Sequence, residues 1–397
     1  MAIEKEEILR LAEKIYPYQV KIRRQLHRHP EISFQEFKTT ELLKAELKRH
    51  GLETRTFGLK TGLVALINRR KKRAAAIRCD IDALPVTERT GLDFASRNRG
   101  VMHACGHDIH MAVVLGTAII LNSLKNRLPD CVKCIFQPAE EEPPGGAKSM
   151  IEAGVLKNPA VKIVFGLHVD PTLAVGRISL RDGPTMAMVH DFDIIIRGRG
   201  GHAAKPHEAV DAVAVACEVV EAMQKIVSRE VDPLKPAVIT FGLIQGGSAR
   251  NVIADEVILK GTARTLWPQN GRLLPRLIRR TLDGITRARG AEYQLEHLSG
   301  YPVLENNPHV NGHLRSAWRE LFGRRAVAET PMVMGGEDFA YFARNAPAAM
   351  FRLGIKNKKI KADKPWHSPE FIADERSIFY GTALLSSAIC RFGESPA

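Results

Sequence analysis

No apolar run in this sequence approaches the ~18 residues that a membrane-crossing helix requires, so no membrane partner is expected. The opening Met1-Ala2-Ile3-Glu4-Lys5-Glu6-Glu7 lacks the basic and apolar regions of a signal peptide. Cysteine is scarce, six in 397 residues, and shows no framework spacing. Reduced thiols and a cytoplasmic location are the expectation. Internal repeats and low-complexity tracts are absent. Acidic residues are in deficit, 44 against 58 Lys+Arg, which leaves a net charge of +14. A nucleic-acid-binding reading would rest on Arg69-Arg70-Lys71-Lys72-Arg73. That run lies between the apolar runs Gly62 to Ile67 and Ala74 to Ile77, where a hairpin tip would fall, and charge runs are usually solvated loops. Lys356 to Lys361 reads the same way. No nucleic-acid partner is therefore expected, although a positive field can draw in carboxylate-bearing substrates.

What is present is enough sequence for two cores, with the hydrophobic and charged fractions of a globular protein. Residues 4–50 carry helical periodicity, broken at His29-Pro30-Glu31 and ended at His50-Gly51. From 62 to 180, short apolar strands alternate with helical stretches such as Ile109 to Lys125, which implies an α/β fold with a largely parallel sheet flanked by helices. After Asp182-Gly183-Pro184 the pattern changes to strand 189–196, helix 209–229, strands 237–244 and 256–265, helix 270–289 and strand 291–299. That β-α-β-β-α-β order is ferredoxin-like and has the size of a small inserted domain. The expected division is therefore 1–184 with 303–397 as a discontinuous catalytic domain and 185–302 as the insertion.

Five candidate metal ligands sit in short segments at or near the ends of apolar runs: Cys105 and His107, Glu141, His168, and His367. Thiolate, imidazole and carboxylate are the groups that bind zinc-like cations, and ligands of an open α/β sheet collect at the carboxyl ends of strands. Gly106 lets Cys105 and His107 face one point, and Asp108 stands where a helix N-cap belongs. Either residue of the pair alone would more readily be a buried Cys or a hydrogen-bonded His. Their occurrence with the other three points to a metallohydrolase. Glu140, Glu141 and Glu142 follow Pro138, and one can hold metal while its neighbour handles protons. Spacing alone does not choose among them.

Other patterns carry less. Cys131 and Cys134 have CxxC spacing, but residues three apart in a strand face opposite sides, so they read as core. His27 and His29 diverge on a helix and read as capping and packing residues. The glycines near 198–201 and 245–247 lack the context of a phosphate-binding loop.

Taken in order, the motifs resemble the M20 metallopeptidase and amidohydrolase family, in its branch of N-acyl-amino-acid, hippurate and auxin-conjugate amidohydrolases. The matching stretches are Leu26 to Glu31, Asp80 to Pro85, Met102 to Asp108, Gln137 to Glu141, Gly166 to His168, Gly200 to Ala204, Asn251 to Ile253, Gly335 to Phe339, and His367-Ser368. The resemblance implies a zinc-peptidase-like catalytic domain with an inserted lid or dimerisation domain. It implies two divalent ions (zinc, manganese, cobalt or nickel) held by Cys105, His107, Glu141, His168 and His367, one ligand bridging, with Glu140 as the base. Many relatives open the site with His-x-Asp; here Arg78-Cys79-Asp80 stands there, and Cys105 would replace the lost ligand. Asp80 and Asp82 share a strand face and are expected to orient ligands. His202 matches a histidine that reaches the active site, often that of a partner subunit, and Asn251 and Arg264 are candidate carboxylate binders.

The expected activity is metal-dependent hydrolysis of N-acyl-amino acids, by a homodimer or higher homo-oligomer formed through the inserted domain, acting on a small N-acyl amino acid or short peptide with a free carboxylate. A carboxypeptidase or dipeptidase on the same site is the near alternative. A nucleophilic hydrolase built on Cys105 is a more distant one.

Overall fold

The computed structural model describes residues 3–323 and 327–392. By contacts the chain divides into two compact units, one of Met1–Gly183, Glu305–Pro331 and Asp338–Ala397, the other of Pro184–Leu304 with Met332–Glu337.

The first unit opens with helices α1 (Lys5–Arg28) and α2 (Phe37–Arg49). Strands β1 (Glu53–Arg55), β2 (Leu63–Ile67) and β3 (Arg73–Asp80) follow, then α3 (His107–Ser123), β4 (Cys131–Gln137), α4 (Gly146–Glu152), β5 (Ala160–Ala174) and β6 (Ile178–Leu180). The sheet order is β1-β2-β4-β3-β5, then strand Ala348–Lys356, β6 and strand Ala328–Glu329. The pairs β3–β4, β3–β5 and β5 with Ala348–Lys356 are parallel. Strands β2 and β4 are buried along their whole length, as expected of strands covered on both faces. Cys131 and Cys134 belong to that buried strand and are core, as the sequence suggests.

The hairpin expected at Arg69–Arg73 does not form. β2 pairs antiparallel with β4, and β3 pairs parallel with the other edge of β4, so β2 and β3 are not neighbours. Arg69 to Lys72 are nonetheless exposed. Asp82 is also not on the strand face proposed for it, because β3 ends at Asp80.

The second unit is an antiparallel sheet of four strands in the order Ala237–Gly246, Glu256–Thr265, Met188–Arg197, Glu292–Ser299. Taken in chain order the strands are arranged 2-3-1-4, the ferredoxin-like order. Alternate residues Phe192, Ile194 and Ile196 of one strand and Val257, Leu259 and Ala263 of its neighbour face helices Ala212–Lys225 and Pro268–Arg289. The first of these helices starts later than periodicity suggests, because the Asp211 carboxylate accepts the Val213 and Ala214 N–H groups and caps it. No helix among the described residues is long and apolar enough to cross a membrane.

Candidate metal centre

Cys105 and His107 flank Gly106, whose φ of 89° no L side chain adopts readily. A Cβ at this position would also stand 2.6 Å from Val169 Cγ2. Gly106, not Asp108, is the N-cap of α3. Asp108 lies in the first turn, where its Oδ2 is ion-paired with Arg23, 2.7 Å from Nε, and lies 2.8 Å from His27 Nδ1. The His27 of the His-x-His pattern is thus a buried packing residue.

The imidazole orientations follow from their backbone partners, since a carbonyl oxygen only accepts. His107 Nδ1 donates to the Asp82 carbonyl at 2.9 Å, and His168 Nδ1 donates to the Val169 carbonyl at 2.8 Å. In the neutral form of each ring, the form that binds metal, Nε2 carries the lone pair. His168 Nε2 stands 3.4 Å from Cys105 Sγ. His107 Nε2 and Glu141 Oε1 are buried with no hydrogen-bond partner among the described residues, 3.7 Å apart. His367 is held at a φ of 64°, its N–H on the Ala104 carbonyl, and its Nε2 lies 3.6 Å from Glu141 Oε1.

Two triads of donor atoms share Cys105: with His107 and His168, and with Glu141 and His367, each drawn within 4.8 Å. Glu140 forms a third close group with His107 and Glu141. The structure also separates the three glutamates that spacing leaves equivalent: Glu140 is buried, Glu141 half-buried and Glu142 exposed.

The acidic loop is tied down by the N-terminal segment. Glu36 Oε1 accepts the Ala139 N–H at 2.7 Å, where Ala139 has a φ of 50°. Asp82 Oδ2 accepts the Glu141 N–H at 3.0 Å and the Ser33 hydroxyl at 2.7 Å. Burial disfavours a charge on His107, yet Asp80, Asp82 and Glu141 outweigh it and lift its pKa to about 10. Burial and then Glu141 and Glu140 push the Cys105 thiol well up. These shifts describe a pocket whose carboxylates demand positive charge. Orphaned buried donors around a thiol, in a field that favours a cation, fit divalent metal.

Arg78 is fully buried. Its guanidinium donates to Gln137 Oε1, Asp80 Oδ2 and Asp338 Oδ1 at 2.8, 2.9 and 2.8 Å.

The profile described as peptidase family M20/M25/M40 matches residues 76–391. This chain belongs to the M20 family. It is 43% identical over 314 residues to the N-acyl-L-amino acid amidohydrolase of Geobacillus stearothermophilus, covering 78% of this chain and 84% of the relative. It is 38% identical to thermostable carboxypeptidase 1 of Saccharolobus solfataricus, covering 90% of each. A solved M20 peptidase of Bacillus subtilis, described as dinuclear and metal-binding, superposes with a TM-score of 0.83 at 34% identity, covering 97% of this chain and 100% of that one. The protein is a metal-dependent hydrolase of linear amides.

In the second unit the structure brings together two of the remaining candidates. His202, in strand Gly201–His202, pairs with Val252, and the Ala203 N–H donates to the Asn251 carbonyl at 3.1 Å. His202 is exposed. Arg264 Nη1 donates to the Met334 carbonyl at 2.9 Å. Two residues that shape the metal centre are not picked out by sequence. His110 is one turn after His107 and so on its helix face, a usable signal. Glu36 is more than a hundred residues from the loop it holds, and no local signal marks it.

Proposed function

We propose that this M20 hydrolase cleaves N-acyl-L-amino acids to a carboxylate and a free amino acid. The observation that carries the reading is the convergence of five donor side chains with buried Glu140 beside them. Cys105, His107, Glu141, His168 and His367 would hold the divalent ions. Zinc, manganese, cobalt and nickel all suit such donors.

Bound ions of this kind lower the pKa of water and polarise an amide carbonyl. Glu140 takes the proton of the attacking water and delivers it to the amide nitrogen, so that the C–N bond breaks as the amine gains N–H. His202 has a tautomer suited to stabilising the oxyanion. Its Nδ1 accepts the Ala204 N–H at 3.0 Å, which leaves Nε2–H as the donor of the neutral ring. That N–H would bind the developing negative charge. Asn251 and Arg264 would bind the substrate carboxylate, and Asp80 and Asp82 orient the ligands.

The inserted unit acts as lid and dimerisation surface in this reading. Its edge strand Ala237–Gly246 exposes Val238, Leu243 and Ile244, an apolar edge suited to pairing with a second copy. A carboxypeptidase reading is favoured by the similarity to the Saccharolobus enzyme, since a peptide's terminal residue is also an acylated amino acid. The test is a panel of N-acetyl-amino acids, N-benzoyl-amino acids and dipeptides, before and after chelation and metal readdition. Turnover of the N-acyl substrates that chelation abolishes and metal restores is expected. Turnover confined to peptides would transfer the assignment to carboxypeptidase.

A further inference from the structure

Beside the donor side chains lies a buried chain of hydrogen bonds whose directions are fixed by groups that can act in only one way. Arg78 Nη1 donates to Asp80 Oδ2 at 2.9 Å, and the other Asp80 oxygen lies 2.5 Å from His110 Nδ1. On the far side of that ring the Val169 N–H, which can only donate, points at His110 Nε2 at 2.9 Å. Nε2 must therefore accept, and the proton of the neutral ring sits on Nδ1, facing Asp80. Both His110 nitrogens are spent inside the protein. His110 is consequently not a ligand, although its ring nitrogens lie within 4.8 Å of donor atoms on Asp80 and His107.

Strand pairing explains why a side chain is needed at Val169. The β3–β5 register ends at Arg78↔Gly166, so beyond Gly166 the buried backbone of β5 has no strand on that side among the described residues. A buried N–H without a partner is costly, and His110 supplies the acceptor. The Val169 carbonyl is equally occupied, taking His168 Nδ1–H at 2.8 Å and Trp366 Nε1–H at 3.1 Å. One peptide group thus faces His110 through its N–H, and the next fixes the ring of His168.

We infer that His110 is a positioning residue for the metal centre: it anchors Val169, and through the Val169 carbonyl it aims His168 Nε2 at the point shared with Cys105 Sγ. Asp80, locked by Arg78, in turn holds His110. This rests on the reading of His168 as a metal holder. It assigns His110 no contact with metal or substrate.

Two substitutions divide the chain of bonds. The amide oxygen of Gln in His110→Gln reaches the position of Nε2 and can accept the Val169 N–H. Asn in His110→Asn can donate to Asp80 in place of Nδ1 but stops short of Val169. Zinc affinity, measured on the full chain by competition with a chromophoric chelator, should fall about 10–100-fold in His110→Asn and stay near the parent in His110→Gln. The Co²⁺ absorption spectrum should change in His110→Asn as an imidazole is lost or displaced, which a purely structural role would not produce. Parent-like zinc affinity and Co²⁺ spectrum in His110→Asn would overturn the inference while leaving the metal reading intact. Failure of the parent protein to bind zinc or cobalt would overturn both. If neither variant folds, ¹⁵N shifts of the His110 ring in the parent protein carry the test: Nδ1 protonated with Nε2 bare supports the inference, and the opposite tautomer refutes it.

Discussion

The Glu36 carboxylate accepts the backbone N–H of Ala139 at 2.7 Å, tying helix α2's leading residue to the loop that carries Glu140 and Glu141. Glu36 is buried, and its second oxygen has no hydrogen-bond partner among the described residues. Burial, reinforced by Asp82, raises its pKa from an ordinary 4.5 to about 7. Because the folded value is the higher one, the stability tied to this group is full below pH ~4.5 and is lost as pH rises through ~7.

Glu36→Gln keeps an acceptor for Ala139 but cannot ionise. The stability difference, variant minus parent, should therefore grow between pH 5 and pH 8, by at most ~3 kcal/mol at ~1.4 kcal/mol per pKa unit. Denaturant unfolding at several pH values measures it. A pH-independent difference would mean that Glu36 titrates normally.

The metal reading predicts that chelation removes activity and that reconstituted protein approaches two divalent ions per chain by elemental analysis. Cys105→Ala should lower occupancy most, because Cys105 alone belongs to both of the triads it shares. His168→Ala should lower it less. Full occupancy in both variants would refute the donor assignment.

Glu140→Gln separates proton transfer from metal holding. The amide cannot accept the proton of the attacking water, so turnover should fall on the order of 10²–10⁴-fold. Metal content should stay at the parent level, since Glu141 remains. Near-parent turnover would move the role of base to another carboxylate.

How much of this is legible in the sequence depends on how far each cause acts. The inserted unit's element order follows from local periodicity, and strand 256–265 matches residue for residue. Its preceding helix is displaced by a few residues, because Asp211 captures two N–H groups and sets the start. The hairpin at Arg69–Arg73 fails for the opposite reason. β4, some sixty residues on from β2, inserts between β2 and β3, and nothing local announces that. Asp108 has the composition of an N-cap, yet positive φ at Gly106 starts the helix earlier and buried Arg23 claims the carboxylate. The donor chemistry of Cys105, His107, Glu141, His168 and His367 can be read as residue types. The choice among Glu140, Glu141 and Glu142 cannot, because it depends on how Glu36 and Asp82 grip the loop.

His202 gives the sharpest test of how a complete site is assembled. It belongs to the unit Pro184–Leu304, whereas all five candidate metal donors belong to the other unit. It would act on substrate either of its own chain or of a second chain. Removal of an oxyanion donor typically costs ~10²–10³ in turnover, and metal content should not change in His202→Ala. Mixing inactive Glu140→Gln with inactive His202→Ala under conditions of subunit exchange then distinguishes the two routes. In a mixed dimer with sites shared between chains, one site combines an intact Glu140 with an intact His202 and regains activity. If each chain serves itself, every site keeps one lesion and the mixture stays inactive. Recovered turnover, with exchange verified by mass, would place His202 in the partner's site. Persistent inactivity despite exchange would place it in its own, and parent-like activity of His202→Ala alone would remove it from the mechanism.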